Sequence, residues 1–591
     1  MEYRIRDAEG KKGVVSNTHG FFSTYLDGSF REKWNGYWSP SYKYLDYFAV
    51  KVNGIWLDDE TLQETHYGEK VVYHHKASSL EIRQEISCPE EIPGFKVSWK
   101  VKNQSDSQKA VKASIEAGVD IRPRTEDLGG KNYTVETSNA GMKIIKDDRD
   151  RYLTITGEKF EFDEDSYIKE HYPGEQQICI VPGDISCRCE LEPGKTKTAE
   201  LVFMTDGEPG REIKGSESSL RHEELGRTFN YCIDSMENLI YDRNGLGVIA
   251  GHPWFQNYWS RDTFGTIYGM IDAGLFRESR EILANFAERE PFPSKINTNG
   301  GTETEYPRCD SIPLFALAVE KLERYAEADD ELLERAEELL EENRPEGEIV
   351  EHDPSGTWMD TLERENAVEL QSEWIAALEA FGKDNEKLMK GLKRFEDGDY
   401  LKDNLGNDFE SINPAIPLML GQIEDEKAEK YLEKINGEFS SRYGARTRSV
   451  TDPGYESDGY HTGSVWGLTT TWAAAANLEY GNVSHGKNFL KKMTQFIDRN
   501  QLGALPEVVN AESGESIGCD EQAWSAGLYV FVIDTYLLGI DVREDRVIID
   551  PVEGVNAERK NKRIRGEELD IKVEDGEAEI INDPDLEIEV R

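Results

Sequence analysis

Hydrophobic and polar positions change their rhythm twice along the chain. From Met1 to about Gly215, apolar residues alternate with polar ones in short runs. Examples are Tyr47-Phe-Ala-Val-Lys-Val-Asn-Gly54 and Phe95-Lys-Val-Ser-Trp-Lys-Val101, with Asn-Gly, Asp-Gly and Pro-Gly between runs. A period of two punctuated by turn residues predicts antiparallel strands, and so many of them predict a β-sandwich over 1–215. Near Ser216 the period lengthens to that of a helix, first over Leu220 to Leu239 and then almost to Ile540. The pattern predicts about a dozen helices, starting near Glu217, Asp262, Arg277, Asp310, Asp329, Glu365, Asn385, Asn413, Asp425, Gly463, His485 and Asp520. Brief joints such as Asp272-Ala-Gly-Leu-Phe276 alternate with long ones rich in Gly, Pro and aromatic residues, at 244–261, 291–309, 344–364, 398–412, 438–462 and 501–519. That rhythm predicts six hairpins closed into an (α/α)6 toroid over 216–540, with the long loops on one face. Strand patterns return over 541–591 as a small β appendage, with the Lys/Arg cluster at 559–565 expected in a hairpin loop.

Composition adds the class of partner. Of 591 residues 37% are hydrophobic, including 11 Trp, 26 Tyr and 22 Phe, enough for more than one core and for aromatic-lined pockets. Acidic residues number 116 against 69 basic, a net charge of −47 spread over the whole length. Such a surface repels nucleic acid and anionic membranes. It suits a salt-rich cytoplasm, where the Debye length falls to about 3 Å in molar salt. The start Met1-Glu2-Tyr3-Arg4 lacks a signal-peptide pattern, and no run reaches the roughly 18 apolar residues of a membrane span. A cytoplasmic, soluble protein is expected.

The seven cysteines (Cys88, Cys179, Cys187, Cys189, Cys232, Cys309 and Cys519) have no metal or disulfide spacing and read as small buried side chains. The ten His show no metal spacing, so neither a metal nor another cofactor is expected. Gly481-Asn-Val-Ser-His-Gly486-Lys487 fits a phosphate-loop spacing, but Asn488 replaces the hydroxyl residue and the run follows a helix. Asp397 to Asp403 does not follow calcium-loop positions, and Glu331 to Glu342 reads as a solvated helix face.

The long loops carry the candidate chemistry. Gly251-His-Pro-Trp-Phe-Gln-Asn-Tyr-Trp-Ser-Arg-Asp262 places aromatic faces that stack on sugar rings before an Arg-Asp pair that fixes hydroxyls. Asp262 as a helix cap with Arg261 at the surface is the blander alternative. Glu303, Glu305, Arg308 and Asp310 read as rim residues. In Gly356-Thr-Trp-Met-Asp360 a carboxylate follows two large apolar side chains, where desolvation raises a pKa toward that of a general acid. Taken alone, Asp360 reads equally as a cap of the helix that follows. His461 lies in an aromatic loop and reads as a sugar contact, whereas His252 and His352 read as loop packing. Glu507 follows Leu505-Pro506, so two carboxylates sit on loops expected at one rim, the working parts of glycoside hydrolysis.

These motifs resemble the amylo-α-1,6-glucosidase domain of glycogen debranching enzymes. Trp254-Phe255 and Trp259-Ser260-Arg261-Asp262-Thr263-Phe264 resemble that family's PWF…WGRDTF, with Ser260 in place of Gly. Thr357-Trp358-Met359-Asp360 with Val368-Glu369 and Trp374 resembles its TWMD…VE…W. Tyr460-His461…Val465-Trp466, Leu505-Pro506-Glu507 and Gln522-Ala523-Trp524-Ser525 follow in the same order. Glucoamylases are similar more distantly. The resemblance implies an inverting hydrolase of α-glucans or oligosaccharides with Asp360 as general acid and Glu507 as general base. It further implies that Arg261 and Asp262 hold the terminal glucose. Trp259, Trp358, Trp466 and Trp524 are then its walls, and Glu369 a polar support at the substrate. An α-1,4 or small α-glucoside hydrolase of the same fold and a non-catalytic carbohydrate-binding protein are the alternatives.

Overall fold

The structure is a computed structural model describing residues 2–130, 132–164, 180–303, 309–326 and 329–591. Cys179, Glu305 and Arg308, and the side chain of Glu303, lie outside what is described. The chain forms two compact units, the first being Met1–Ile213 with Tyr241–Arg243 and Arg499–Leu502, the second the remainder.

The first unit contains a nine-stranded and an eight-stranded antiparallel sheet. Strand Leu80–Ser87 shows the reason: its positions alternate buried and outward along the whole length, so one face seals a core. That core is rich in aromatic residues, with Phe95 stacked on Phe203 at 4.4 Å and Phe22 beside Phe95 at 4.8 Å. Cys187 and Cys189 lie two apart on Asp184–Leu191, facing Ala113 and Val111 across the ladder. They and Cys88 and Cys309 are half-buried, while Cys232 and Cys519 are buried; all six are free.

Twelve helices are described in the second unit: α1 (Gly226–Asn238), α2 (Ser260–Asp272), α3 (Phe276–Ala287), α4 (Ser311–Ala326), α5 (Asp330–Glu342), α6 (Val368–Ala380), α7 (Glu386–Leu392), α8 (Ala415–Met419), α9 (Asp425–Lys434), α10 (Gly467–Glu479), α11 (Val483–Met493) and α12 (Ala523–Val532). The even-numbered members close a ring: α2 packs on α4, α4 on α6, α6 on α8, α8 on α10, α10 on α12, and α12 on α2. Residue type decides which helix goes inside. Every residue of α12 is buried, and nearly every residue of α6 and α10, whereas α5 buries only Leu332, Ala336, Leu339 and Leu340, a single stripe. Where α2 meets α12, Gly269 and Gly527 let the backbones touch; a Cβ at Gly269 would lie 2.3 Å from the Gly527 carbonyl oxygen. The fold is an (α/α)6 toroid following a β-sandwich region.

Three sequence expectations change. The first helix begins at Gly226, because Ser219–Arg221 is instead a strand paired with 558–560, burying Leu220. The helix expected from near Glu365 starts at Val368 as α6, and Arg364 is buried in the loop before it. The basic cluster at 559–565 is mostly strand, Ala557–Ile564, in a four-stranded sheet with Ser219–Arg221, Glu567–Glu574 and Glu577–Ile580. Arg559 and Lys562 point inward there and are fully buried, because Asp272 and Asp534 meet them. The phosphate-loop look-alike lies at the start of α11.

Candidate active site

Each even-numbered helix begins just after a long loop, and several residues singled out by sequence sit at those starts, with Asp360, His461 and Glu507 in the loops themselves. Arg261 and Asp262 open α2, Asp310 precedes α4, Glu369 is in the first turn of α6, and Trp466 and Gln522 directly precede α10 and α12. Helix N-termini carry partial positive charge, which favours carboxylates there. Short ladders pin the loops. Gly251 pairs with Gln522 and His252 with Glu521; Tyr258–Trp259 pairs with Lys295–Ile296; Val465–Trp466 pairs with Val508–Val509. Glu507 therefore precedes a strand locked to Trp466, and its own N–H donates to the Cys519 carbonyl at 2.9 Å.

These elements line a cavity into which both Asp360 and Glu507 face. Trp259, Arg261, Asp262, Trp358, His461, Trp466 and Trp524 line it too. The aromatic walls interlock: Trp358 meets Trp466 edge-on at 5.5 Å, His461 stacks on Trp466 at 5.2 Å, and Trp524 leans on Trp466 at 5.9 Å.

The two carboxylates have opposite surroundings. Glu507 is 2% exposed; its Oε1 accepts from the Tyr460 hydroxyl and its Oε2 from the Cys519 N–H at 2.9 Å. Burial pushes its carboxyl up to about 7, against those two hydrogen bonds, which lower it. Gly518 makes room, since a Cβ there would lie 2.3 Å from Glu507 Oε2. Asp360, by contrast, has a side chain 36% exposed and accepts from Arg261 Nη2 at 3.1 Å. Trp358 and Met359 turn into the protein and leave Asp360 half-buried at the opening.

Around them the polar groups are tightly assigned. Asp262 Oδ1 accepts from Gln522 Nε2 at 2.6 Å, and Arg261 Nε lies 3.7 Å from Asp310. Burial raises both Asp262 and Asp310 to about 7, outweighing the nearby Arg261. His461 Nδ1 shares a hydrogen with Thr361 Oγ1 at 2.7 Å, and burial, with Arg364 and Arg261, lowers the ring to about 3. Its Nε2, the Gln522 Oε1 and the Trp524 Nε1 are buried with no hydrogen-bond partner among the described residues.

The family pattern described as amylo-alpha-1,6-glucosidase matches residues 227–530, just over half of the chain and spanning the whole cavity. The chain belongs to that family. It is a glycosidase of the (α/α)6 class. A putative kojibiose phosphorylase from the human microbiome superposes with a TM-score of 0.63 at 10% identity, covering 100% of this chain and 98% of that one. A bacterial glucoamylase complexed with acarbose superposes with a TM-score of 0.55 at 14% identity, covering 91% and 97%. At such identities the likeness is one of fold. No curated protein sequence matches the chain.

Within this amylo-α-1,6-glucosidase domain Glu369 is not in the lining of this cavity but in that of an adjoining pocket, which shares Arg261, Trp358 and Trp524 with it; Glu369 is buried and accepts from Arg364 Nη2 at 2.7 Å. Arg364 also reaches Asp403 at 3.0 Å and the Thr357 hydroxyl. Asp403 accepts in turn from Asn413 Nδ2 at 2.7 Å and from Ser411, and Asn413 Oδ1 accepts the Trp358 indole N–H at 3.0 Å. Thr357, Trp358 and Met359, the three residues before Asp360, are each held by this buried group, since Asn413 Nδ2 also approaches the Met359 sulfur at 3.4 Å. Sequence reasoning passed over Asp403 and Asn413; a polar Asn directly before Pro414 at a helix start was the available signal. Ser260, in place of the family's Gly, shares a hydrogen bond with Ser311 at 2.6 Å.

Proposed function

We propose that the protein is an exo-acting, inverting α-glucosidase that removes the α-1,6-linked glucose at glucan branch points. The observation that carries the roles is the unequal exposure of the two carboxylates in one cavity. In an inverting reaction the general base reaches only a water, so a buried carboxylate suffices. The general acid must reach the oxygen leaving with the rest of the glucan, so it sits at the opening. Glu507 fits the first position and Asp360 the second. Asp360 gives its proton to the glycosidic oxygen as the bond from C1 breaks. Water adds to C1 from the other face and gives its proton to Glu507, so one water is consumed and the anomer inverts.

The cavity receives the terminal sugar of the glucan, its lining alternating aromatic faces with charged and polar groups. Arg261, Asp262 and His461 are placed to hold its hydroxyls, and Trp259, Trp358, Trp466 and Trp524 form its apolar faces. The net charge of −47 further supports work in a salt-rich cytoplasm.

The test is glucose release from panose, maltotriose and a phosphorylase limit dextrin in concentrated KCl, with the first product's anomer read by NMR. Preference for the α-1,6-linked substrates and β-glucose as first product support the proposal. Preference for maltotriose makes it a glucoamylase-like enzyme, α-glucose rules out inversion, and binding without release marks a carbohydrate-binding protein. Asp360→Asn and Glu507→Gln each lower turnover by about 100- to 10,000-fold if the roles are right.

A further inference from the structure

In the first unit, the outward face of the nine-stranded sheet carries a cluster of metal-donor side chains. Strands Leu62–Tyr67 and Val71–Ala77 run antiparallel with Glu64 directly opposite His74. His66, two residues on from Glu64, shares that face, while Thr65, Tyr67, Tyr73 and His75 point the other way and are buried. Donor atoms of Glu64, His66 and His74 all lie within 4.8 Å of one another. His66 Nε2 is 3.2 Å from Glu64 Oε1, and the two imidazole centroids are 4.7 Å apart. Two ligands bound tetrahedrally at about 2.0–2.1 Å from a zinc-sized ion lie about 3.3 Å apart, so the Glu64–His66 spacing already matches a shared metal. The Nε2 of His74 is buried with no hydrogen-bond partner among the described residues. Behind His66, the exposed Glu2 carboxylate lies 3.7 Å from Nδ1, beyond hydrogen-bond distance.

We propose that Glu64, His66 and His74 form a three-ligand site for a divalent transition metal of the zinc class, with water in the fourth position. Two imidazoles and one carboxylate suit zinc over the hard cations magnesium and calcium, which prefer all-oxygen shells. Arg4 opposes the metal. It lies opposite His66 on the neighbouring edge strand and donates to both Glu64 oxygens at 3.0 Å. Its side chain is 65% exposed, so it can swing off one oxygen into solvent when a cation arrives. Arg4 therefore sets the affinity: it competes for the one carboxylate in the set.

The test is calorimetric titration of the full-length, chelator-stripped protein with Zn2+, beside Co2+ absorption spectra, for wild type, Glu64→Gln, His74→Ala, His74→Gln and Arg4→Ala. The expected result is one site with tetrahedral Co2+ bands in the wild type. The Glu64 and His74 variants, with wild-type melting temperatures, lose tenfold or more in affinity, and Arg4→Ala gains severalfold. Zn2+ affinity unchanged by both His74 variants, or no tetrahedral Co2+ bands, overturns the site. Weaker binding by Arg4→Ala overturns the competition.

Discussion

Asn413 Oδ1 accepts the indole N–H of Trp358 at 3.0 Å, joining residues 55 apart in sequence, two positions before Asp360. With Nδ2 on Asp403 and near the Met359 sulfur, the one amide ties the Asp360 loop to a buried charged group. Asn413 touches neither Asp360 nor the cavity, so it positions the proposed acid at one remove.

Asn413→Ala is therefore expected to lower kcat on oligosaccharides about 10- to 100-fold with little change in KM, the scale of a small misplacement of a reacting group. α-Glucosyl fluoride, whose leaving group departs without a proton, separates positioning from damage. The variant keeps near-wild-type turnover on the fluoride if only the acid is misplaced. An equal loss on both substrates assigns Asn413 a general structural role. Asp360→Asn as a control must show the same recovery; if it does not, the acid assignment itself fails.

Tyr460 donates to Glu507 and holds its carboxyl below where burial alone would put it. A base acts when ionised, so kcat/KM rises with pH through the Glu507 value, about 7. Tyr460→Phe removes the donor and moves that rising limb to higher pH. A pH profile of kcat/KM for the variant checks this; a limb that stays in place or moves down shows that Glu507 does not govern it.

Asp310 is a carboxyl raised by burial to about 7 in the folded protein, against roughly 3.9 when unfolded. The folded state thus binds the proton more tightly, so this contribution to stability is complete below about pH 4 and is lost as pH rises through about 7. Asp262 and Glu507 act in the same direction. Asp310→Asn does not titrate, so its melting temperature is expected to fall less between pH 5 and 8 than that of the wild type. The difference in slope is at most about 1.4 kcal/mol per pH unit, the contribution of one proton. Parallel melting curves across that range would show that Asp310 does not change protonation on unfolding.

Lys562 lies between Asp272 at 2.6 Å and Asp534 at 2.7 Å, with Lys321 on the first and Arg559 on the second. Lys562→Met leaves two buried carboxylates facing two cations, so charge stays balanced, but it removes the donor that joins Asp272 to Asp534 and is expected to cost about 1–3 kcal/mol in chemical unfolding. Concentrated KCl screens surface repulsion but reaches buried pairs poorly. It should therefore stabilise wild type and variant alike and leave the gap between them. A gap that closes in high salt would show that the cluster is solvated.

Much of the architecture is written in local periodicity. Leu80–Ser87 alternates as a half-buried strand must, and the apolar α12 and striped α5 announce their inner and outer places. The motifs around Arg261, Asp360, His461 and Glu507 were legible because each is compressed into a short loop segment, and one cavity unites them. Charged residues whose partners lie far away were not legible. Arg559 and Lys562 read as a hairpin loop because nothing nearby shows Asp272 and Asp534; Glu369 read as a support at the substrate by motif resemblance, which does not show its ion pair with Arg364. Asp403 and Asn413 gain meaning only when Trp358 arrives beside them. The sequence by itself determined the strands, the helices and the residue types at the site, since these depend on neighbours within a turn or a strand. Only the tertiary structure decided which carboxylate is buried and which is open, because desolvation depends on everything packed around a group.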